Sequence, residues 1–324
     1  MASVETKKHK TKRSRNTHNL YLGVDGGGTK THVVLLSDEK SIVGEGFSGA
    51  SNPLRVGVET AVSNIIKAVE AACDSANRSR GDIVSATLGL AGVRRADLRQ
   101  RVRESFIKRL PVKKIEITTD AEIALYGVTL GKAGVVIISG TGSICYGKDA
   151  NGTTAMAGGW GPIAGDEGSG ISIARRALQA IAKASDGRGK STKLSVAATD
   201  YFRTSTPENL LVAIYSPQMD NTKIAGFARF VVETAQSGDE IALEILKEAG
   251  FELGLAAFAV LKKLKMNNRK VPIGCVGSIF KARELITDSL LKTVHSLAPK
   301  AYLVEPFLQP ANAAAHLAFE MCQK

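Results

Sequence analysis

The sequence predicts an α/β protein made of two similar halves. An apolar strand, a glycine-rich turn and two further short strands occur in that order from Leu20, and the same order returns from Gly134. Apolar residues outside these stretches recur at helical spacing, as at Val58, Val62 and Ile65. A length of 324 residues also fits two domains. Because ligands often bind between domains, a central cleft is expected.

The first half is predicted to have the order βββαβαβ. Its first strand, Leu20 to Val24, leads into the turn Asp25 to Thr29 (DGGGT), which is the most glycine-rich point of this half. Strands at 32–36 and 41–47 complete a meander. The later elements alternate between helix and strand: a helix at 58–69, a strand at 83–90, a helix at 95–109 and a strand at 114–118 that leads to Asp120.

The second half begins in the same way and then becomes largely helical. The strand Gly134 to Ser139 ends in the turn Gly140 to Ser143 (GTGS), and short strands follow at 144–146 and 153–156. The remaining predicted elements are helices at 169–184, 223–236 and 239–264, a strand at 271–276, a helix from 281, a strand at 301–304 and a helix at 311–323.

The positive charge is concentrated at the N-terminus. The formal net charge is +12, and the run Lys7 to Arg15 holds six Lys or Arg residues without an acid. This run lacks apolar periodicity, so residues 1–18 are predicted to be a disordered tail. A nuclear-import or polyanion-binding arm is the alternative. The other basic residues are scattered and lack the interleaved aromatics of a single-strand binder, so a nucleic-acid partner is not expected.

The cysteines and the hydropathy pattern indicate a cytoplasmic protein. Cys73, Cys145, Cys275 and Cys322 form no C-x-x-C pair and are predicted to be reduced, buried thiols. The five histidines form no ligand pair at helical spacing, so no zinc site is predicted. No apolar run approaches the ~20 residues of a membrane helix, and the N-terminus lacks the apolar region of a signal peptide.

The two glycine turns are candidate phosphate-binding sites. Glycines allow the backbone to approach a ligand closely, and successive N–H groups in such turns form an anion-binding concavity. Asp25 would add a hard oxygen suited to Mg²⁺, through water. Thr29 precedes Lys30 where a Walker A loop has glycine, and neither turn is a dinucleotide fingerprint. Plain hairpin turns are the alternative.

Two carboxylates stand out beside these turns. Asp120 follows a strand and precedes a helix-like run, where it could accept the proton of an attacking hydroxyl or could simply cap the helix. Asp166 lies in Gly158 to Gly170, a glycine-rich segment that holds the only tryptophan, Trp160. A flat ring with a nearby carboxylate is suited to a sugar, and an acidic helix start with a core tryptophan is the alternative.

Together these segments resemble the N-acetylglucosamine kinase family of BadF/BcrA-type ATPases, within the actin-like, Hsp70-like and hexokinase-like ATPase group. The resemblance runs from about Tyr21 to Gly277. Its motifs are Val24 to Thr29, Thr118 to Ala121, Ile138 to Ser143, Gly158 to Gly161, Gly165 to Ser169, Ile224 to Phe227 and Cys275 to Ser278. Two departures are the basic tail and Ala157, where the animal enzymes have cysteine.

The resemblance implies an α/β fold of two RNase H-like domains, each with a mixed five-stranded sheet, around a central cleft. The expected domains are 19–133 and 134–324, with the last helix packing back on the first domain. The resemblance also implies ATP and Mg²⁺ as cofactors, an amino sugar as substrate and a homodimer as the assembly. The 6-hydroxyl of N-acetylglucosamine is the expected acceptor.

The implied residue roles fall into three groups, and Asp120 is the implied base. Nucleotide contacts are expected at Gly26, Gly27, Gly28, Thr29, Gly140, Thr141, Gly142, Gly226, Gly277 and Ser278. Sugar contacts are expected at Asn52, Asp120, Ser143, Gly159, Trp160, Gly161 and Asp166. Asp25 is the expected metal ligand.

Three other functions compete with this interpretation. Kinases in the same group act on glucosamine or N-acetylmuramic acid. An ATP-driven activator of a 2-hydroxyacyl-CoA dehydratase would need a [4Fe–4S] cluster on cysteine thiolates. A sugar-sensing regulator would bind sugar without turning over ATP, and the retained carboxylate at Asp120 argues against it.

Overall fold

The structure is a computed structural model and describes residues 19–323. The predicted tail, residues 1–18, lies outside the described residues. The chain forms two five-stranded mixed sheets of the same topology, one built from strands within residues 20–119 and the other from strands within residues 134–304. In each sheet the first three strands in sequence form an antiparallel meander, and two later strands add in parallel beside the first. The predicted fold class is confirmed.

The strands lie close to the positions that the sequence predicts. The first sheet contains β1 (Leu20–Gly26), β2 (Thr31–Leu36), β3 (Ile42–Ser48), β4 (Ile83–Leu90) and β5 (Lys114–Thr119). The second sheet contains β6 (Gly134–Ser139), β7 (Ser143–Lys148), β8 (Thr154–Gly158), β9 (Val271–Val276) and β10 (Ala301–Val304).

The helices occupy both faces of the sheets. The first half holds α1 (Pro53–Val56), α2 (Val58–Ala76), α3 (Ala96–Arg109) and α4 (Asp120–Thr129). The second holds α5 (Gly161–Ala164), α6 (Gly170–Ser185), α7 (Leu194–Phe202), α8 (Leu210–Ile214), α9 (Asn221–Gly226), α10 (Ala228–Gln236), α11 (Glu240–Lys263), α12 (Glu284–Leu297) and α13 (Pro310–Gln323).

Two helical regions differ from the sequence prediction. The helix expected at 223–236 is divided at Phe227, whose N–H donates to the Ile224 carbonyl three residues back rather than four. Phe227 is fully buried against other aromatic rings, so tertiary packing fixes the break, which the apolar spacing does not reveal. The helices α7 and α8 were not predicted, because at nine and five residues they are too short to show a clear helical spacing of apolar residues.

Each half has its own apolar core, and the helices α4 and α13 each pack against the sheet of the other half. One core packs α2 and α3 against the first sheet, and a larger one packs the second-half helices against the second sheet. The helix α4 buries Leu125 and Val128 against β6 and β7. The last helix, α13, packs on the first sheet, where a Cβ on Gly23 would lie only 2.2 Å from the Ala311 carbonyl oxygen.

The sheet registers bring the carboxyl ends of neighbouring parallel strands to one level. Leu90 of β4 pairs with Gly26 of β1 and with Thr119 of β5. In the second sheet Val276 of β9 pairs with Ile138 of β6. Ligands of open α/β sheets bind beyond the carboxyl ends of the strands, so both glycine turns and Asp120 lie where a ligand is expected.

Candidate active site

The first glycine turn is tied to the start of α1. The Gly27 amide donates to the Lys30 carbonyl at 2.9 Å, and the Gly27 carbonyl accepts from the amides of Ser51 and Asn52 at 3.0 and 3.1 Å. Asn52 then caps α1, since its Oδ1 accepts from the Leu54 amide at 3.0 Å. The structure therefore brings Asn52, a predicted sugar contact, beside the predicted phosphate turn.

Asp25 ends the first strand at the base of this turn. Burial, with a smaller contribution from the nearby Asp120, raises the pKa of its carboxyl to about 7, and Lys30 opposes the effect. Within residues 19–323, no hydrogen bond to the Asp25 carboxylate is formed. A partly buried carboxylate without a donor is a group that a cation or a proton can occupy.

Asp120 is the first residue of α4, but it does not cap the helix. Thr119 is the N-cap, and its hydroxyl and amide pair with Glu122 in a capping box. The alternative that Asp120 serves as the cap is therefore wrong. Its Oδ1 accepts only the neighbouring Ala121 amide, at 2.9 Å. Burial raises the pKa of Asp120, while the Ala121 amide and the Arg94 guanidinium oppose that shift.

The second glycine turn lies at the start of a long helix. The Gly140 amide donates to the Gly142 carbonyl at 2.9 Å, and the Gly140 carbonyl accepts from the Gly170 amide at 2.8 Å. Gly170 begins α6, a helix of 16 residues. The turn therefore lies against a helix N-terminus, whose partial positive charge favours phosphate.

Asp166 connects this turn to the tryptophan segment. Its buried carboxylate accepts the backbone amides of Ser143 and Gly161, and its φ of +58° places it in the left-handed region. A Cβ on Gly142 would lie 2.7 Å from Asp166 Oδ2, so a side chain there would displace the Asp166 carboxylate. The pKa of Asp166 is raised by burial, and its two amide donors and Arg94 oppose the shift.

The segment Gly158 to Gly161 presents Trp160 to solvent. Gly158, Gly159 and Gly161 all have φ near +70° to +85°, which side chains rarely adopt. The tryptophan is 75% exposed, so the alternative of a core tryptophan is wrong and its ring is free to stack on a ligand. The Ser143 hydroxyl donates to the Glu167 carbonyl at 2.6 Å, which leaves only its lone pairs for a ligand.

The predicted adenosine contacts lie beside the second turn. A Cβ on Gly277 would come within 2.1 Å of the Ser139 carbonyl oxygen, immediately before Gly140. A Cβ on Gly170 would come within 3.1 Å of the Ala225 carbonyl oxygen, next to Gly226. Gly226, Gly277 and Ser278 are all exposed. These three residues therefore border one open surface next to the turn at Gly140 to Ser143.

Arg94 is a site residue that the sequence reasoning missed. Its guanidinium opposes the rise in pKa that burial causes at both Asp120 and Asp166, which belong to different halves. Its Nη2 lies 2.3 Å from where a Cβ on Gly159 would be, so it reaches across to the tryptophan segment. Nothing in the local sequence Val93 to Arg95 marks this role, because the partners of Arg94 come from distant parts of the chain.

The residues present fit a bound Mg²⁺ in the way that nucleotide-dependent enzymes hold it. Mg²⁺ keeps several waters and takes one or two carboxylates plus substrate phosphates, rather than an all-protein cage. Asp25 offers such a carboxylate beside the phosphate turn. Among residues 19–323, no group of three or more Asp, Glu, His or Cys side chains could hold a metal ion by itself.

The arrangement defines a class of protein: two topologically equivalent α/β halves, each with a glycine turn at the end of its first strand, as in the actin-like ATPases. A family model described as the BadF/BadG/BcrA/BcrD ATPase family matches residues 22–318. The chain belongs to this family. The resemblance drawn from its motifs is thereby confirmed.

Named relatives match over nearly the whole length. An N-acetylmuramic acid/N-acetylglucosamine kinase of Clostridium acetobutylicum is 32% identical, over 93% of this chain and 98% of its own. An N-acetyl-D-glucosamine kinase of Dictyostelium discoideum is also 32% identical, over 92% and 97%. A solved Chromobacterium violaceum structure, a candidate N-acetylglucosamine kinase, is 26% identical, with a TM-score of 0.76 over 93% of this chain and 99% of its own.

Proposed function

We propose that this protein is an ATP-dependent amino-sugar kinase that phosphorylates the 6-hydroxyl of N-acetylglucosamine. The observation that carries the proposal is the position of Asp120. Its carboxylate is the first group beyond β5, is not used as a helix cap, and lies near Asp25 of the phosphate turn and near Arg94 of the same half. The kinase relatives in Clostridium acetobutylicum and Dictyostelium discoideum support the sugar.

The nucleotide would be held from both sides. The turn Gly26 to Thr29 would approach the phosphates from the first half, with the amides of Gly28 and Thr29 as donors. The turn Gly140 to Gly142 would approach from the second half with the amides of Thr141 and Gly142, and the N-terminus of α6 adds partial positive charge. The exposed residues Gly226, Gly277 and Ser278 leave space for the adenosine. Phosphoryl transfer depends mostly on such positioning and electrostatic stabilisation.

The acceptor hydroxyl would bind at Asp120, which takes its proton during transfer. Asn52 lies on the same side, beside the first turn. Asp166 and the face of Trp160 would hold the sugar from the second half, with hydrogen bonds on the ring edge and stacking on the ring face. Arg94 favours the ionised form of Asp120, which is the form that a base needs.

Asp25 would hold Mg²⁺ through water, beside the phosphates. Bound Mg²⁺ neutralises phosphate charge and favours the departure of the nucleoside diphosphate. Asp25 itself must be ionised to serve, and its pKa of about 7 in the protein without ligand implies that cation and proton compete for it.

The dehydratase-activator alternative has weak support from the cysteines. Cys145 is buried, and burial raises its pKa and raises that of Cys275 to about 12, so both thiols resist becoming the thiolates that an iron–sulfur cluster needs. Glucosamine and N-acetylmuramic acid remain alternative substrates, because the predicted sugar contacts bind hydroxyls rather than the 2-substituent.

The test is an ADP-release assay with purified protein, ATP and Mg²⁺. Glucose, glucosamine, N-acetylglucosamine, N-acetylmannosamine and N-acetylmuramic acid are compared, and the product is analysed for phosphate at O6. N-acetylglucosamine should give the highest kcat/KM. Sugar binding without ADP release for any substrate would instead support a sugar-sensing regulator.

The assembly and location are part of the proposal. We expect a homodimer, which sedimentation of the purified protein would test. We also expect a cytoplasmic enzyme, because ATP and reduced thiols both belong to that compartment. Within residues 19–323, none of the helices is both long and apolar enough to span a membrane.

A further inference from the structure

Arg55 forms a bridge between the two halves directly over the predicted nucleotide site. It belongs to α1, three residues after Asn52. Its Nη1 donates to the Gly28 carbonyl at 2.8 Å and to the Thr222 hydroxyl at 2.9 Å. Its Nη2 lies 3.8 Å from the Asp220 carboxylate. One side chain therefore joins the first-half phosphate turn to α9 of the second half.

The second-half partners of Arg55, Thr222 and Asp220, lie at the start of α9, which further hydrogen bonds hold in place. Asp220 is the N-cap of α9, since its Oδ1 accepts from the Lys223 amide at 2.8 Å. The Lys223 carbonyl accepts the Tyr201 hydroxyl at 2.7 Å, which anchors the helix to α7. The helix ends at Gly226, a predicted adenosine contact. A shift at Thr222 therefore moves Gly226 with it.

The first-half partner of Arg55 is Gly28, which lies within the predicted phosphate turn. A Cβ on Gly28 would lie 3.0 Å from Arg55 Nη1, so the guanidinium rests on the glycine backbone. The next residue, Thr29, is a predicted phosphate contact. Because Gly28 has no side chain, Arg55 can lie against one face of the turn.

We propose that Arg55 is a positioning residue that holds the phosphate turn and α9 together and so slows the release of nucleotide. This inference rests on the nucleotide-binding part of the proposed function. The hydrogen bonds carry the effect, because the ion pair is long and both partners are at least one-third exposed. The Arg55 guanidinium can donate to Gly28 and to Thr222 at the same time only when the two halves are close together, that is, when the cleft is closed.

Two other roles would give different results. Arg55 could bind the nucleotide phosphates directly, in which case Thr222 would be irrelevant. It could instead only support α1 and the Asn52 cap, in which case the sugar rather than the nucleotide would be affected. The experiment must therefore compare nucleotide and sugar, and must change both ends of the bridge.

The test uses the full-length protein and a fluorescent methylanthraniloyl derivative of the non-hydrolysable analogue AMPPNP with Mg²⁺. Its release rate is measured by stopped-flow for Arg55→Ala, Arg55→Lys, Thr222→Val and the Arg55→Ala/Thr222→Val double variant. KM values for ATP and N-acetylglucosamine are measured in parallel. The control is Arg229→Ala, which removes an exposed arginine paired with Glu233 inside one helix.

We expect Arg55→Ala to speed release about tenfold and to raise the KM for ATP by a similar factor, as loss of a hydrogen bond to a charged group would. Thr222→Val should speed release about threefold. The double variant should match Arg55→Ala, because removing one end leaves no bridge to lose. Arg55→Lys should recover part of the effect, and Arg229→Ala should stay within twofold of the wild type.

Three results would overturn the proposal. Unchanged release in Thr222→Val beside fast release in Arg55→Ala would assign Arg55 to the nucleotide itself. Independent, multiplying effects in the double variant would mean that the two residues do not act through each other. A raised KM for N-acetylglucosamine with normal nucleotide release would reduce Arg55 to a support for α1. Because release needs no sugar, a protein that phosphorylates none of the sugars would contradict the kinase and still give a result here.

Discussion

The two halves share one sheet topology but differ in the groups that lie beside their glycine turns. In the first half the glycine turn is followed by strands and by a helix of only four residues, and the polar groups at the strand ends are the carboxylates Asp25 and Asp120. In the second half the turn lies against the N-terminus of the 16-residue helix α6. Under the proposed function, equivalent folds would therefore supply different parts of the reaction: the first half contributes the carboxylates Asp25 and Asp120, and the second adds a long helix N-terminus beside its turn.

This difference is useful for phosphoryl transfer. Two carboxylates at one side would repel a polyphosphate unless a cation or a proton were added, whereas a helix N-terminus attracts it. The groups that cross between the halves are cationic, namely Arg94 at the sugar side and Arg55 at the nucleotide side. Each prediction below tests whether the halves differ in this way.

The largest effect is expected at the base. Asp120→Asn should lower kcat by about 10²–10⁴-fold, the usual contribution of a general base, while AMPPNP still binds. Asp288→Asn, on the exposed surface of α12, is the matched control. If Asp120→Asn kept its turnover within a few-fold of the wild type, Asp120 would not be the base that accepts the proton.

The second effect concerns stability and its dependence on pH. The pKa of Asp25 is raised to about 7, so the folded protein holds a proton that the unfolded chain releases near pH 4. Stability from this group is present below about pH 4 and is lost as the pH rises through 7. Asp25→Asn should therefore be more stable than the wild type at about pH 8, by up to about 4 kcal/mol, and similar to it at about pH 4.

Urea unfolding of both proteins at several pH values, without nucleotide or Mg²⁺, would measure the difference. A constant gap between the two proteins from pH 4 to 8 would show that Asp25 does not titrate in this range. Asp25 would then not be a buried carboxylate of raised pKa beside the first turn.

The two turns should respond differently to the same substitution. A Cβ on Gly27 would meet the Lys30 carbonyl oxygen at 3.5 Å, an ordinary contact, whereas one on Gly142 would press on Asp166. Gly27→Val should raise the KM for ATP about tenfold, equivalent to 1.4 kcal/mol, with little effect on the sugar. Gly142→Val should raise both KM values, because it displaces Asp166. Equal sugar KM values in the two variants would contradict this difference.

The smallest effect is expected from Arg94, the cation between the halves. Arg94→Gln removes the charge that opposes the rise in the pKa of Asp120. The acid limb of the kcat/KM profile should therefore move to higher pH, and the loss of activity should be greater at about pH 6 than at about pH 8. Arg94→Lys should retain the wild-type profile more closely. A uniform loss across the pH range would point to a contact with the substrate instead.

Much of the fold follows from local patterns in the sequence. Strands of alternating or continuous apolar residues, such as Gly134 to Ser139, are short-range signals, and glycine turns mark their ends. The repeat of strand, turn and strand at Asp25 and Gly140 is visible for the same reason. The break at Phe227 was not visible, because it depends on the rings of Tyr201 and Phe202 packing against it.

The sequence by itself determined the two α/β halves, the two glycine turns and the acidic residues beside them, because each is encoded within a few neighbouring residues. The capping box of Thr119 and Glu122, which leaves Asp120 available, is also local, although the sequence prediction did not use it. Only the tertiary structure decided that Arg55 meets Thr222, 167 positions away, and that Arg94 faces Asp120 and Asp166. These features depend on long-range contacts, and the identity of a residue gives no information about a partner that only folding brings near.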